Sequence, residues 1–298
     1  EPSGDFRRLA EALEAQWPDR VTGAISCDLN ILQSVQPVLR AGKWQVTVAL
    51  RDGHHIVGIW PGLKERIAGV AIDVGSTTMS AHMCDMVTGE VLASTGAMNP
   101  QIRFGEDLMS RVSYGIMNPG GDREMTAAVI EGLQTLISGA AEQAGLTNED
   151  VLEIVLVGNP VMHHLLLGID PVELGGAPFA LAVDTSVEIR ASELGIDVHP
   201  GGRVYVLPCI AGHVGADAAG VVLAEAPQKH DEYTLVVDVG TNAEIVVGNS
   251  QRMLAASSPT GPAFEGAQIS SGQRAAPGAI ERIRIDKDTL EPRFRVIG

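Results

Sequence analysis

The stretch Gly69-Val70-Ala71-Ile72-Asp73-Val74-Gly75-Ser76-Thr77-Thr78 decides how this chain is read. An apolar run ends in an acid, a glycine and a set of hydroxyls. About 165 residues later the order returns in Leu235-Val236-Val237-Asp238-Val239-Gly240-Thr241-Asn242. Each apolar run predicts a buried strand, and each glycine lets the chain turn where a side chain would clash. Backbone N–H groups and hydroxyls at such a turn line a concave anion site. The acid would repel a phosphate directly, but it can hold a divalent cation that in turn holds phosphates. Two such turns facing each other would clamp a nucleotide.

This assigns Asp73 and Asp238 as the residues organising Mg²⁺, one from each half of the chain. Gly75, Ser76, Thr77 and Thr78 would meet the phosphates from one side, and Gly240, Thr241 and Asn242 from the other. A single Asp-x-Gly-Ser/Thr is equally an ordinary hairpin turn; the repetition in the same order sets this pair apart. The two loops are not equivalent, because the place of Thr78 is taken by Ala243 in the second. Asp217, at the start of a predicted helix, is a third candidate catalytic acid, able to orient an attacking water. Helix N-termini favour aspartate in any case. The face used by Glu244 is left open, because a turn separates it from Asp238. His163 and His164 are adjacent, which puts their side chains about 100° apart on a helix and suits burial better than shared metal binding.

Working outward, residues 1–67 predict a small α/β domain: helices over Gly4–Gln16 and Ile31–Leu39, then a hairpin of Gln45–Leu50 and His55–Trp60 turning at Arg51-Asp52-Gly53. Residues 68–231 predict three antiparallel strands, Val70–Asp73, Met79–Asp85 and Val91–Ala97. Helices over Glu106–Ile116 and Asp122–Ala144 follow, then a strand at Glu153–Val157, a helix opened by Asn159-Pro160, a loop over 174–184, a strand at Arg203–Leu207 and a helix from Asp217. From 232 the order begins again with strands at Leu235–Asp238, Glu244–Val247 and Met253–Ala256. The expected fold class is α/β, with two RNase-H-like, actin/Hsp70-type ATPase lobes, the second truncated at Gly298, preceded by the small α/β domain.

The chain has 298 residues, 45% of them hydrophobic, ample for more than one core. Its 37 acids against 21 lysines and arginines give a net charge of −16, which argues against nucleic acid and anionic membranes as partners. No apolar run reaches the roughly 20 residues of a spanning helix. Three widely separated cysteines, Cys27, Cys84 and Cys209, suit a reducing compartment, so the expected location is cytoplasmic.

The two loops resemble the phosphate loops of the acetate and sugar kinase, Hsp70 and actin superfamily. A narrower resemblance is carried by Asn99-Pro100-Gln101 with Phe104-Gly105-Glu106-Asp107, by Val157-Gly158-Asn159-Pro160-Val161-Met162-His163-His164, by Pro208-Cys209-Ile210-Ala211-Gly212-His213-Val214-Gly215-Ala216-Asp217 and by Gly261-Pro262-Ala263-Phe264-Glu265-Gly266-Ala267. These resemble the ATP-dependent reductive activators of corrinoid proteins in methyltransferase systems. The resemblance implies ATP and Mg²⁺ as cofactors, a corrinoid protein as partner, and return of that partner's cobalt from Co(II) to Co(I). It also implies a [2Fe–2S] domain ahead of Glu1, since the closely spaced cysteines of a plant-type cluster do not occur here. A homodimer is compatible with it. The serine pairs Ser257-Ser258 and Ser270-Ser271 are expected in loops, one of the two pairs facing the partner. Two rivals use the same loops: a small-molecule kinase acting on a sugar or carboxylic acid, and a nucleotide-binding interaction module without turnover.

Overall fold

In the computed structural model, residues 3–240, 242–261, 270–273 and 277–298 are described. The first unit packs α1 (Asp5–Gln16) and α2 (Leu29–Ala41) on a three-stranded sheet of β1 (Ser26–Cys27), β2 (Val46–Arg51) and β3 (His55–Pro61). Leu9 and Leu13 of α1, and Ile31, Val35 and Leu39 of α2, are spaced at helical intervals and close over Ile56 and Ile59. The short strand β1, parallel to β3, was not legible in the sequence.

The second unit is a six-stranded mixed sheet in the order β6-β5-β4-β7-β9-β8. Its strands are β4 (Ala68–Val74), β5 (Thr78–Asp85), β6 (Val91–Met98), β7 (Val151–Gly158), β8 (Val187–Arg190) and β9 (Arg203–Val206). The three-strand meander predicted from sequence lies at one side, with β4, β7 and β9 parallel through the middle. Strand β8 is an addition at the edge, antiparallel to β9. Val187-Glu188-Ile189-Arg190 alternates apolar and charged residues, but over only four positions, too short a run to read as a strand; pairing to β9 makes it one.

Alternation along β7 serves two layers. Ile154 and Leu156 join the main core with α4 (Gly121–Gln143) and α5 (Pro160–Leu166), whereas Val155 and Val157 pack toward Ala216 of α6 (Ala216–Glu225) on the other face. Met125, Val129, Leu133 and Ile137 are fully buried on α4. Each such side chain contributes about 1.5–3 kcal/mol of burial. Helix α3 (Leu108–Met117) starts later than the pattern predicts. Asp107 accepts the Ser110 N–H at 2.7 Å and forms a reciprocal capping box with it, fixing the first turn.

The small domain docks at the strand-start end of the second unit. Arg51 pairs with Glu153 and with Glu188 (3.1 Å), and Asp28 takes Arg190 (2.6 Å) and Arg203 (2.7 Å). Glu153 lies near the start of β7 and Gly158 ends it, so this contact and the first loop sit at opposite ends of the sheet.

The third unit begins with an antiparallel sheet of β10 (Thr234–Val239), β11 (Asn242–Gly248) and β12 (Met253–Pro259). A hairpin of β13 (Ile280–Ile285) and β14 (Pro292–Val296), unforeseen in the sequence, follows. No described helix is long and apolar enough to cross a membrane.

Candidate active site at the lobe cleft

Asp73 is the penultimate residue of β4, placed between Ser80 of β5 and Val157 of β7. The turn after it needs glycine: a Cβ at Gly75 would collide with the Thr78 carbonyl oxygen. The loop is held from behind. Asn99 donates from Nδ2 to the Gly75 carbonyl at 2.8 Å, and Arg111 donates to the Ser76 carbonyl. Close by, Asn159 caps α5 by accepting the Met162 N–H at 3.0 Å.

Asp217 stands in the first turn of α6 and accepts the Ala218 N–H at 2.8 Å. In the third unit, Asp238 of β10, Glu244 of β11 and Ser257 of β12 form one cross-strand row. All three therefore share a face of that sheet. Ser257 donates to Glu244 at 3.2 Å.

These elements meet at a pocket of about 300 Å³. Asp73, Gly75, Ser76, Thr77 and Thr78 line one side and Asp238, Gly240 and Asn242 the other, with Asp217, Glu244, Leu108, Asn159 and Val239 completing it. Thr241 lies outside the described residues. No lysine or arginine lines the pocket among the described residues.

The electrostatics follow from that composition. Burial, reinforced by the charges of Asp217 and Asp238, pushes the Asp73 carboxyl up to about 6 even though it opens to the cleft. Burial, then Asp217 and Asp238, pushes Glu244 up to about 7, against the bond from Ser257. Asp217 is also raised, chiefly by burial, with the helix N–H bond opposing. A concave site whose carboxyls resist ionisation is one that added positive charge would stabilise. Among the described residues no group of three or more His, Cys, Asp and Glu gathers as a ligand set. Magnesium needs fewer, since it keeps waters and binds through one or two carboxylates plus phosphate oxygens.

Other sequence candidates fall elsewhere. His163 and His164 are buried, with rings 5.6 Å apart. Burial, aided by His164, pushes His163 down to about 4. His164 accepts the Ala182 N–H at Nε2 (3.0 Å), which leaves Nδ1 to donate to the Pro160 carbonyl (2.9 Å). His213 packs against Phe179 in a tilted arrangement, with ring centroids 4.3 Å apart. Ser257 and Ser258 are not in a loop as expected: pairing with Glu244 and Ala243 carries β12 through them to Pro259. Ser270 and Ser271 lie in an exposed turn. Cys27, Cys84 and Cys209 are free and sit in separate parts of the fold, so they form no shared ligand set among the described residues.

Arg111 had no sequence signal. It falls between Leu108 and Val112 at helical spacing, as a solvent-facing arginine also would, yet it is wholly buried.

A strand-tipped acid loop on each side of a cleft, with a three-layer α/β unit beneath one of them, defines an ASKHA-type lobe pair. Families described as the RACo linker region, the RACo middle region and the C-terminal ASKHA domain of RACo match residues 1–66, 68–230 and 232–298. The chain belongs to the RACo family. It is 30% identical over 311 residues to the corrinoid activation enzyme RamQ of Eubacterium limosum, covering 98% of this chain and 52% of that protein. It is 27% identical over 223 residues to the [Co(II) methylated amine-specific corrinoid protein] reductase of Methanosarcina barkeri, covering 71% of this chain and 40% of that protein. A solved reductive activator for a corrinoid, iron-sulfur protein superposes with a TM-score of 0.86 at 33% identity over 99% of this chain and 47% of the other. The chain thus spans about half the length of the relatives it matches.

Proposed function

We propose that this chain is the nucleotide-binding and coupling part of an ATP-dependent reductive activator that returns the cobalt of a corrinoid protein from Co(II) to Co(I). The observation that carries the reading is the convergence of Asp73 and Asp238, from separate sheets, on one pocket with both glycine turns. The family membership points the same way.

In this reading Asp73 and Asp238 would hold Mg²⁺, which screens the phosphates of ATP when bound. Ser76, Thr77 and Thr78 from one loop, and Thr241 and Asn242 from the other, would donate to phosphate oxygens, with Gly75 and Gly240 permitting close approach. Asp217 would orient water. Cobalt reduction is uphill, and nucleotide can contribute to it only by favouring one lobe arrangement over another. The acids make the cleft self-repelling, and Asp73 and Asp238 would allow the lobes to close once they hold a cation. Closure alters the surface offered to the corrinoid partner. The electron comes from an iron–sulfur centre that this chain's cysteines do not supply.

The test follows Co(II) loss by visible spectroscopy in a corrinoid protein incubated with the complete activator and a reductant. ATP should accelerate the reduction; equal rates with and without ATP would overturn the reading. A second reading, phosphoryl transfer to a small molecule, is favoured by one observation. A 480 Å³ pocket lined by Leu108, Val161, Leu174, His213 and Ser257 adjoins the acidic one, sharing Leu108, Asn159 and Asn242 with it. Release of inorganic phosphate alone, with no phosphorylated product, separates the two.

A further inference from the structure

The first loop is gripped through three successive carbonyl oxygens. Gly75 O accepts from Asn99 Nδ2 (2.8 Å), Ser76 O accepts from Arg111 Nη2, and Thr77 O accepts from the Asn99 backbone N–H (2.8 Å). In a trans peptide the carbonyl and the N–H of the next residue point in opposite directions. Drawing the Gly75 and Ser76 carbonyls toward Asn99 and Arg111 therefore turns the Ser76 and Thr77 N–H groups the other way. Both residues line the acidic pocket.

Arg111 is itself fixed. Its Nε donates to Gly105 O at 3.0 Å and its Nη1 to Gln101 Oε1 at 3.3 Å, while Gln101 donates to Met125 O on α4 at 2.8 Å. Asn99 is fixed as well, its Oδ1 accepting the Gln101 N–H at 2.9 Å. Both side chains are almost wholly buried. Arg111 Nη1 also meets Met162 Sδ at 3.0 Å. A guanidinium that spends its donors on backbone and amide oxygens and a thioether, with no ion pair to a carboxylate among the described residues, is costly to bury. A core-filling role would be met by an apolar side chain of similar length.

We propose that Arg111 and Asn99 are positioning residues that set the anion-binding form of the first loop. They aim the Ser76 and Thr77 amides at a phosphate, and Arg111 places a cation behind a loop of the cleft whose charged lining residues, among those described, are all acids. Burial pushes the guanidinium down to about 10, so it remains charged at neutral pH. A charged donor on the Ser76 carbonyl also polarises that peptide and strengthens its N–H as a donor. This rests on the nucleotide reading above.

The test uses the complete protein with Arg111→Met, measuring Mg·ATP by calorimetry and adenosine by competition, with a thermal melt as control. Arg111→Met should fold, lose roughly 10- to 100-fold in Mg·ATP affinity and leave adenosine affinity within about twofold. Equal losses for both ligands, or none for either, would overturn the assignment, because a merely structural residue does not select for phosphate. Should Arg111→Met fail to fold, Asn99→Ser carries the test. Serine can still cap Gln101 but cannot reach Gly75, and the same selective loss is expected. Failure of the parent protein to bind Mg·ATP would instead strike the nucleotide reading itself, and the two failures are thereby distinguishable.

Discussion

Asp238 on β10 and Glu244 on β11 are direct cross-strand partners, and both carboxyls face the pocket that Asp73 enters from the first lobe. Like charges opposite one another destabilise a sheet. The proposed cation would offset that repulsion.

Asp238→Asn removes a charge without changing shape. In the complete protein it should abolish ATP-stimulated Co(II) reduction while the circular dichroism spectrum stays that of the parent. Asp73→Asn should do the same. Stimulation retained by either variant would remove that residue from the metal site.

The raised carboxyls set a pH dependence. Unfolded, Asp73 and Glu244 release their protons near pH 4; folded, they hold them to about 6 and about 7. The folded state binds the extra protons in between, so this contribution to stability is present at low pH and is lost as pH rises through about 7. Burial lowers His163, His164 and His199, and these act in the opposite sense. A difference measurement isolates the acid. Glu244→Gln should gain melting temperature relative to the parent as pH rises from about 5 to about 8. Magnesium should shrink that gap by stabilising the ionised parent site. A gap independent of pH would contradict the assignment.

Gly75→Ala places a methyl group against the Thr78 carbonyl oxygen, which is backbone and cannot swing aside. The loop must deform, at a cost of about 1–3 kcal/mol. Urea unfolding should show that loss, and calorimetry should show Mg·ATP binding weakened well beyond it. An unchanged midpoint would mean that the turn has more room than the structure gives it.

Asp28→Ala should loosen the small domain from the lobe, since Asp28 meets both Arg190 and Arg203 and is largely buried between them. Removing it leaves two guanidiniums without their carboxylate, a loss on the order of 3 kcal/mol. Hydrogen exchange should rise in β3 and β9 while the amides of α4 stay protected. Uniform protection would show that apolar contacts, such as Trp60 against His199 at 5.2 Å, suffice to hold the interface.

The local pattern carried the elements that are long and periodic. The apolar run ahead of Asp73 marked β4, and 3.6-residue spacing of Met125, Val129, Leu133 and Ile137 marked α4, because burial imposes those patterns directly. Strands β1 and β8, of two and four residues, are too short for a period to be read, and only their partners make them strands. The histidines show the same divide: their adjacency in sequence spoke for burial over chelation, and the partners of His164, the Pro160 carbonyl and the Ala182 N–H, came only with the helix packed.

From the residues alone came two acid-and-glycine turns, the strands that present them and a net charge of −16. Which acids share a cavity was decided by the tertiary structure, because that depends on how the face of β10 meets the ends of β4 and α6 across some 160 residues of intervening chain. The same holds for Glu244, whose direction a turn conceals, and for Arg111. Hydrogen-bond partners from separate loops keep that charge inside, and no one-dimensional spacing records them.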